Sequence, residues 1–133
     1  ASGGRLGLTG APDGPMTRFT WVPPPGYEPT AMDALGSGET MLVLHRRFTP
    51  LEGVSAVLTE GELPSGASGS IEPRPVARLA APLLVDNMEA LAVRSEGERR
   101  FVYLASDDNF NALQRTILMK FELLPADGAE PPR

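Results

Sequence analysis

The chain has 133 residues, 41% of them hydrophobic, which suits one domain with a buried core. Twelve Lys and Arg against seventeen Asp and Glu leave a net charge of −5, which argues against a nucleic-acid groove and favours cations or cationic ligands as partners. With no cysteine there is neither a disulfide framework nor a thiolate metal site, so any bound metal must be held by oxygen, with His45 as the one available imidazole.

The chain opens at Ala1 without a methionine or the apolar core of a signal peptide, as expected of a processed chain or an excised piece. Ala1 to Pro15 is rich in Gly, Pro and small residues, with one weak strand signal at Arg5 to Thr9. Arg18 to Val22 is β-branched and aromatic in alternation and predicts a strand, stopped by Pro23-Pro24-Pro25-Gly26 because proline gives no N–H to a ladder. A loop through Tyr27 and Pro29 leads to a hairpin. Met32 to Leu35 and Met41 to Leu44 are short apolar runs joined by Gly36-Ser37-Gly38, residues that accept φ > 0. His45-Arg46-Arg47-Phe48 closes it as a basic loop. Ala56 to Leu63 predicts the next strand, Pro64 to Ser70 a Gly/Ser-rich loop, and Val76 to Leu79 a short strand. Gly66-Ala67-Ser68-Gly69 reads as a flexible turn, since it lacks the Lys and the helix of a phosphate loop. The stretch that organises the rest is Leu84 to Leu124, where Phe101 to Ala105 delivers Ser106-Asp107-Asp108-Asn109 and Thr116 to Leu124 supplies a further strand. Ile117, Met119, Phe121 and Leu123 alternate with Lys120 and Glu122, a period of two that favours strand over helix. No apolar run approaches the roughly 18 residues of a membrane span.

The two halves resemble each other. Met41 to Leu44 aligns with Phe101 to Leu104 at an offset of 60 residues, and Glu62-Leu63 with Glu122-Leu123 at the same offset. His45 to Ser55 then matches Ala105 to Arg115 without a gap, and Met32 to Leu35 matches Met88 to Leu91 once four residues are allowed in the turn. A period of this size built of short strands predicts an all-β fold: a β-propeller fragment of about two blades of antiparallel strands. The expected division is a Gly/Pro-rich segment with one strand of a preceding blade at 1–28, a first blade at 29–80, a second, partial blade at 81–124 and a flexible tail at 125–133. Two blades do not close a ring, so the remainder of the propeller, a missing N-terminal part or another chain, is an expected partner.

In such a blade the start of one strand lies beside the end of its antiparallel neighbour. Glu89 is therefore expected near Asp107, Asp108 and Asn109, and Asp33 near His45, Arg46 and Arg47. Oxygen ligands converging in this way suit a hard cation such as calcium. The competing reading of Asp107-Asp108-Asn109 is a turn whose side chains bond nearby backbone N–H groups, and that of Glu89 is a buried, paired carboxylate. Arg46, Arg47 and Arg115 could receive phosphate or carboxylate groups, and His45 could act as acid or base, against a plain loop role for the lone histidine.

These residues carry a family resemblance over about Pro29 to Leu124. Asp86-Asn87-Met88-Glu89-Ala90-Leu91, Ser106-Asp107-Asp108-Asn109-Phe110 and Leu113-Gln114-Arg115-Thr116-Ile117-Leu118 carry it, with Pro29-Thr30 and Leu44-His45-Arg46-Arg47-Phe48 matching more loosely. They resemble the phytase-like domain, the esterase-like activity of phytase family. That resemblance implies a β-propeller, commonly in exported bacterial proteins and hence periplasmic or secreted, with an ester or phosphoester hydrolase activity. Ala90 stands where the family pattern usually has Gly. The functional expectation is a metal-assisted hydrolase of an anionic small-molecule ester, with His45, Arg46 and Arg115 catalytic and Glu89, Asp107, Asp108 and Asn109 holding calcium; neither nucleic acid nor membrane is an expected partner. A non-catalytic propeller that binds a ligand or protein is the alternative.

Overall fold

The computed structural model describes residues 3–64 and 68–124. Among them there is no helix, and ten strands make three sheets: β1 (Arg5–Gly10), β2 (Met16–Trp21), β3 (Glu28–Leu35), β4 (Thr40–Thr49), β5 (Gly53–Glu62), β6 (Gly69–Ile71), β7 (Arg74–Leu79), β8 (Met88–Glu96), β9 (Arg99–Ser106) and β10 (Leu118–Glu122). The middle sheet is a four-stranded antiparallel meander in the order β3-β4-β5-β7. A second antiparallel sheet runs β10-β9-β8, and the third, β1-β2-β6, pairs β2 with β6 in parallel.

β4 shows why the sheets stack. Leu42, Val43, Leu44 and His45 are all buried, and successive side chains of a strand point to opposite faces. Leu42 and Leu44 join Leu58, Leu79, Met88, Val102 and Leu104 in one core, between the middle sheet and β8-β9-β10. Val43 joins Phe19, Trp21 and Ile71 in a second core on the other side. A strand covered on both faces reads as a continuous apolar run, which is what Met41 to Leu44 presents. Gly7 lets the Phe19 ring lie across β1, since a Cβ there would stand 2.1 Å from the ring.

Pairing registers refine the internal repeat. Glu28 faces Arg46 and Met88 faces Ser106; Ala31 faces Leu44 and Leu91 faces Leu104. The 60-residue offset thus extends through the first strands without the four-residue allowance in the turn. Glu28, not Met32, is the counterpart of Met88. After β9 the copies diverge. β4 and β5 stay paired to Thr49 and Gly53, whereas Asp107 to Ile117 leaves the ladder as a loop, and β10 returns one residue out of step, with Leu118 facing Ala105 where Leu58 faces Leu44.

Three further expectations change. The segment before Tyr27 holds strands at both of the expected positions, β1 and β2, paired with each other, where the division into blades counted one. Gly69 and Ser70 belong to β6, which docks on Phe19 and Thr20 and whose polar sequence gave no strand signal; the rest of the expected turn, Gly66 and Ala67, lies outside the described residues, as does the 125–133 tail. Finally, His45, Arg46 and Arg47 lie inside β4 and not in a loop, because the hairpin is sealed further on, where the Glu52 N–H bonds the Thr49 hydroxyl at 3.1 Å.

The first strands of the two repeats lie side by side without forming a ladder. Asp33 bridges them: Oδ2 accepts from the Val93 N–H at 2.6 Å while Oδ1 accepts from Ala34 at 2.8 Å. Nearer the other end, the Thr30 hydroxyl donates to the Met88 carbonyl at 2.9 Å.

Candidate functional site

The start of β8 and the end of β9 meet in an acidic corner. The Asp107 N–H donates to the Asn87 carbonyl at 3.1 Å, and a bulge between Met88 and Ala90 turns Glu89 out of the ladder. Asn87 is buried beneath; its Nδ2 donates to Glu89 and to the Asp107 carbonyl at 3.4 Å. Glu89 is exposed, so the expected buried carboxylate is not found there.

The loop from Asp107 to Ile117 is held by its own side chains. Asp107 Oδ1 accepts from the Asn109 N–H and Asp108 Oδ1 from the Phe110 N–H, each at 3.0 Å, while Asp108 Oδ2 accepts from the Thr116 hydroxyl at 3.3 Å. These short-range bonds let Asn109 and Phe110 adopt φ of 49° and 56°, which non-glycine residues seldom do. Ser106 clamps the base. Its hydroxyl donates to the Arg115 carbonyl at 2.6 Å and accepts from the Ile117 N–H at 2.9 Å. Asp86 Oδ2 accepts from the Arg115 N–H at 2.9 Å, so the neck of the loop is tied to the approach to β8.

Glu89 and Asp107 therefore share one end of the sheet, as the strand order predicts, but Asp107 and Asp108 use carboxylate oxygens on backbone N–H groups. Among the described residues no three His, Asp or Glu side chains gather as a ligand group. Glu89, the second carboxylate oxygen of Asp107 and Asn87 Oδ1, which is buried without a partner, are side-chain oxygens of this corner that accept no backbone N–H. Calcium takes 6 to 8 oxygens, so the corner does not amount to a calcium cage.

The basic residues divide. Arg115 is exposed on the loop, and Arg46 is half-buried opposite Glu28; neither is in an ion pair among the described residues. Asp33 faces Leu42 and lies well along β3, away from its expected neighbour His45. His45 is fully buried. Its Nε2 accepts from the Trp21 indole N–H at 3.1 Å, which places the proton on Nδ1, facing the Val57 carbonyl at 3.3 Å. An imidazole so enclosed has no route to solvent, and burial holds its pKa below the usual value, so the expected proton-transfer role lacks access to a substrate.

A second concave feature went unread in the sequence. A cleft of about 760 Å³ lies between the segments following β2 and β6 and strands β4, β5 and β7, with Tyr27, Arg47 and Arg78 in its wall. Arg47 stacks over the Tyr27 ring at 4.8 Å, and the Tyr27 hydroxyl bonds Ser55 at 3.0 Å. The signal was present as a cluster of prolines around a tyrosine, but those prolines read only as strand stops.

Fold and corner together define an all-β protein of three sheets with an acidic, loop-capped strand end. The family model described as Phytase-like: Esterase-like activity of phytase matches residues 8–110, and the chain belongs to that family. The match begins earlier than the resemblance carried by the motifs, taking in the end of β1 and all of β2, and stops inside the Asp107 loop. Neither a curated protein nor a solved structure matches the chain.

Proposed function

We propose that the chain is a two-blade portion of a β-propeller acting as an ester or phosphoester hydrolase, in which the corner of Glu89, Asp107 and Arg115 contributes one part of a site completed by other blades. The observation that supports the ring is the side-by-side setting of β3 and β8, first strands of two units with a constant 60-residue offset, in a chain of this family. Stacked units of this kind bring equivalent strand ends to one rim. There the exposed Glu89 carboxylate can take a proton from water, and Arg115 can hold an ester anion through its guanidinium fork. An exported location follows from the same reading. Calcium assistance would require further oxygens from a neighbouring blade.

The test is turnover of aryl phosphates and aryl carboxylate esters by the full gene product, with and without calcium. The expected result is activity that Glu89→Gln and Arg115→Ala each reduce by about tenfold or more at unchanged melting temperature. Absence of turnover under every condition removes the hydrolase. Activity indifferent to calcium removes only the metal.

One observation favours a non-catalytic ligand- or protein-binding propeller: the Asp107 and Asp108 carboxylates hold the loop in shape. Absence of turnover selects this reading, and Asp108→Ala tests only the part of Asp108: a loss of stability with unchanged turnover assigns that residue to architecture alone.

A further inference from the structure

The cleft walled by Pro23, Pro24, Pro25, Pro73 and Pro75 has a chemistry distinct from the acidic corner, and every residue lining it lies between Val22 and Arg78. Prolines make it stiff and remove backbone donors, so polar recognition falls to a few side chains. Arg47 and Arg78 enter from β4 and β7, with the Tyr27 hydroxyl between them and Glu72 as the one acidic residue of the wall.

These groups are incompletely used. The Arg47 Nη2 pairs with Glu52, yet its Nε is buried without a partner. Arg78 is exposed to the cleft and has no ion pair among the described residues. Burial alone would push the Tyr27 phenol up, but its bond to Ser55, the neighbouring Arg78 and the charge of Arg47 outweigh that and leave it lowered. Arg78 therefore presents a free guanidinium fork to the cleft, which a carboxylate matches with two acceptors, while Arg47 adds its charge nearby.

We infer that this cleft binds a small organic monoanion, a carboxylate on an apolar body, with the carboxylate between Arg78, Arg47 and Tyr27 and the body against the prolines, Val57 and Val76. Arg47 is already paired with Glu52, so Arg78 is the one arginine of the wall without an ion pair among the described residues, and a single carboxylate matches its fork. The cleft lies in the size range of small-molecule sites.

The probe is 2-naphthoate, titrated into the whole chain by calorimetry and followed by amide NMR shifts at Tyr27, Val57 and Ala77, beside 2-naphthyl phosphate and the neutral 2-naphthalenemethanol. Saturable binding is expected with shifts confined to the cleft, about tenfold or more weaker for the alcohol and for Arg78→Ala, and intermediate for Arg78→Lys, which keeps the charge but loses the fork. Arg78 is exposed, so its substitution leaves the fold intact; Tyr27→Phe, which retains the ring under Arg47 but leaves the buried Ser55 hydroxyl without its partner, is the second variant and is expected to weaken binding with a lowered melting temperature but a retained fold. No saturable binding, binding unaltered in Arg78→Ala, shifts outside the cleft, or tighter binding of the phosphate overturns the assignment.

Discussion

His45 and Trp21 lock each other, since the indole N–H needs the unprotonated Nε2 3.1 Å away and both side chains are buried. Burial keeps the imidazole pKa below its ordinary 6.5. As pH falls, the unfolded chain takes up this proton before the folded one does, so acidification favours unfolding. The contribution of His45 is whole above about pH 6.5 and is lost below it, down to the lowered folded value. Chemical denaturation between pH 7.5 and 5 is expected to show falling stability, with a shallower fall in His45→Gln. Gly61 is a steric counterpart: a Cβ there would stand 2.8 Å from Ile71 and 3.0 Å from Trp21. Gly61→Ala is expected to destabilise by about 1–3 kcal/mol, read as a lower denaturation midpoint at constant slope.

Strands and loops show how far pattern reaches. Alternation and turn residues located β1, β2, the second half of β3, β4, β5, β7, β9 and β10, and Gly97, at φ 63°, sits where the β8–β9 turn requires it. Pattern could not locate β6, because Gly69-Ser70-Ile71 is defined by the Phe19–Trp21 segment it docks on and not by its own residues. Nor could it place His45-Arg46-Arg47. The turn at Pro50-Leu51-Glu52-Gly53 lies beyond them, and a polar residue in a central strand looks like a loop until its partner, here Trp21, is known. Glu89 beside Asp107 was legible from strand order alone, and the use of the Asp107 and Asp108 carboxylates on the loop's own N–H groups is the turn reading that two Asp and an Asn in series offer; the positive φ values of Asn109 and Phe110 are what no periodicity encodes. The clamp on that loop is Ser106. Ser106→Ala removes two bonds from a buried hydroxyl and is expected to cost about 1–3 kcal/mol, with faster proteolysis between Asp107 and Thr116 at otherwise intact secondary structure.

Across the molecule, the two repeats are joined by one shared apolar core and by a few polar bonds, of which Asp33 makes the shortest link. Asp33→Ala leaves the Val93 N–H without its acceptor and is expected to raise amide exchange at Val93 and Ala34 well above that of the interior of β4. The same variant should melt in one transition, because Leu42 and Leu44 still rest on Val102 and Leu104.

That common core has a consequence for severed chains. Cutting the backbone in the connection between Leu79 and Val85 would strand Leu42, Leu44 and Leu58 on one piece and Met88, Val102 and Leu104 on the other, each a greasy face in water. Neither piece is expected to stay dissolved when made alone. Produced in the same cell they should find one another and co-purify as a nicked heterodimer, with the missing peptide bond replaced by the seam it once crossed.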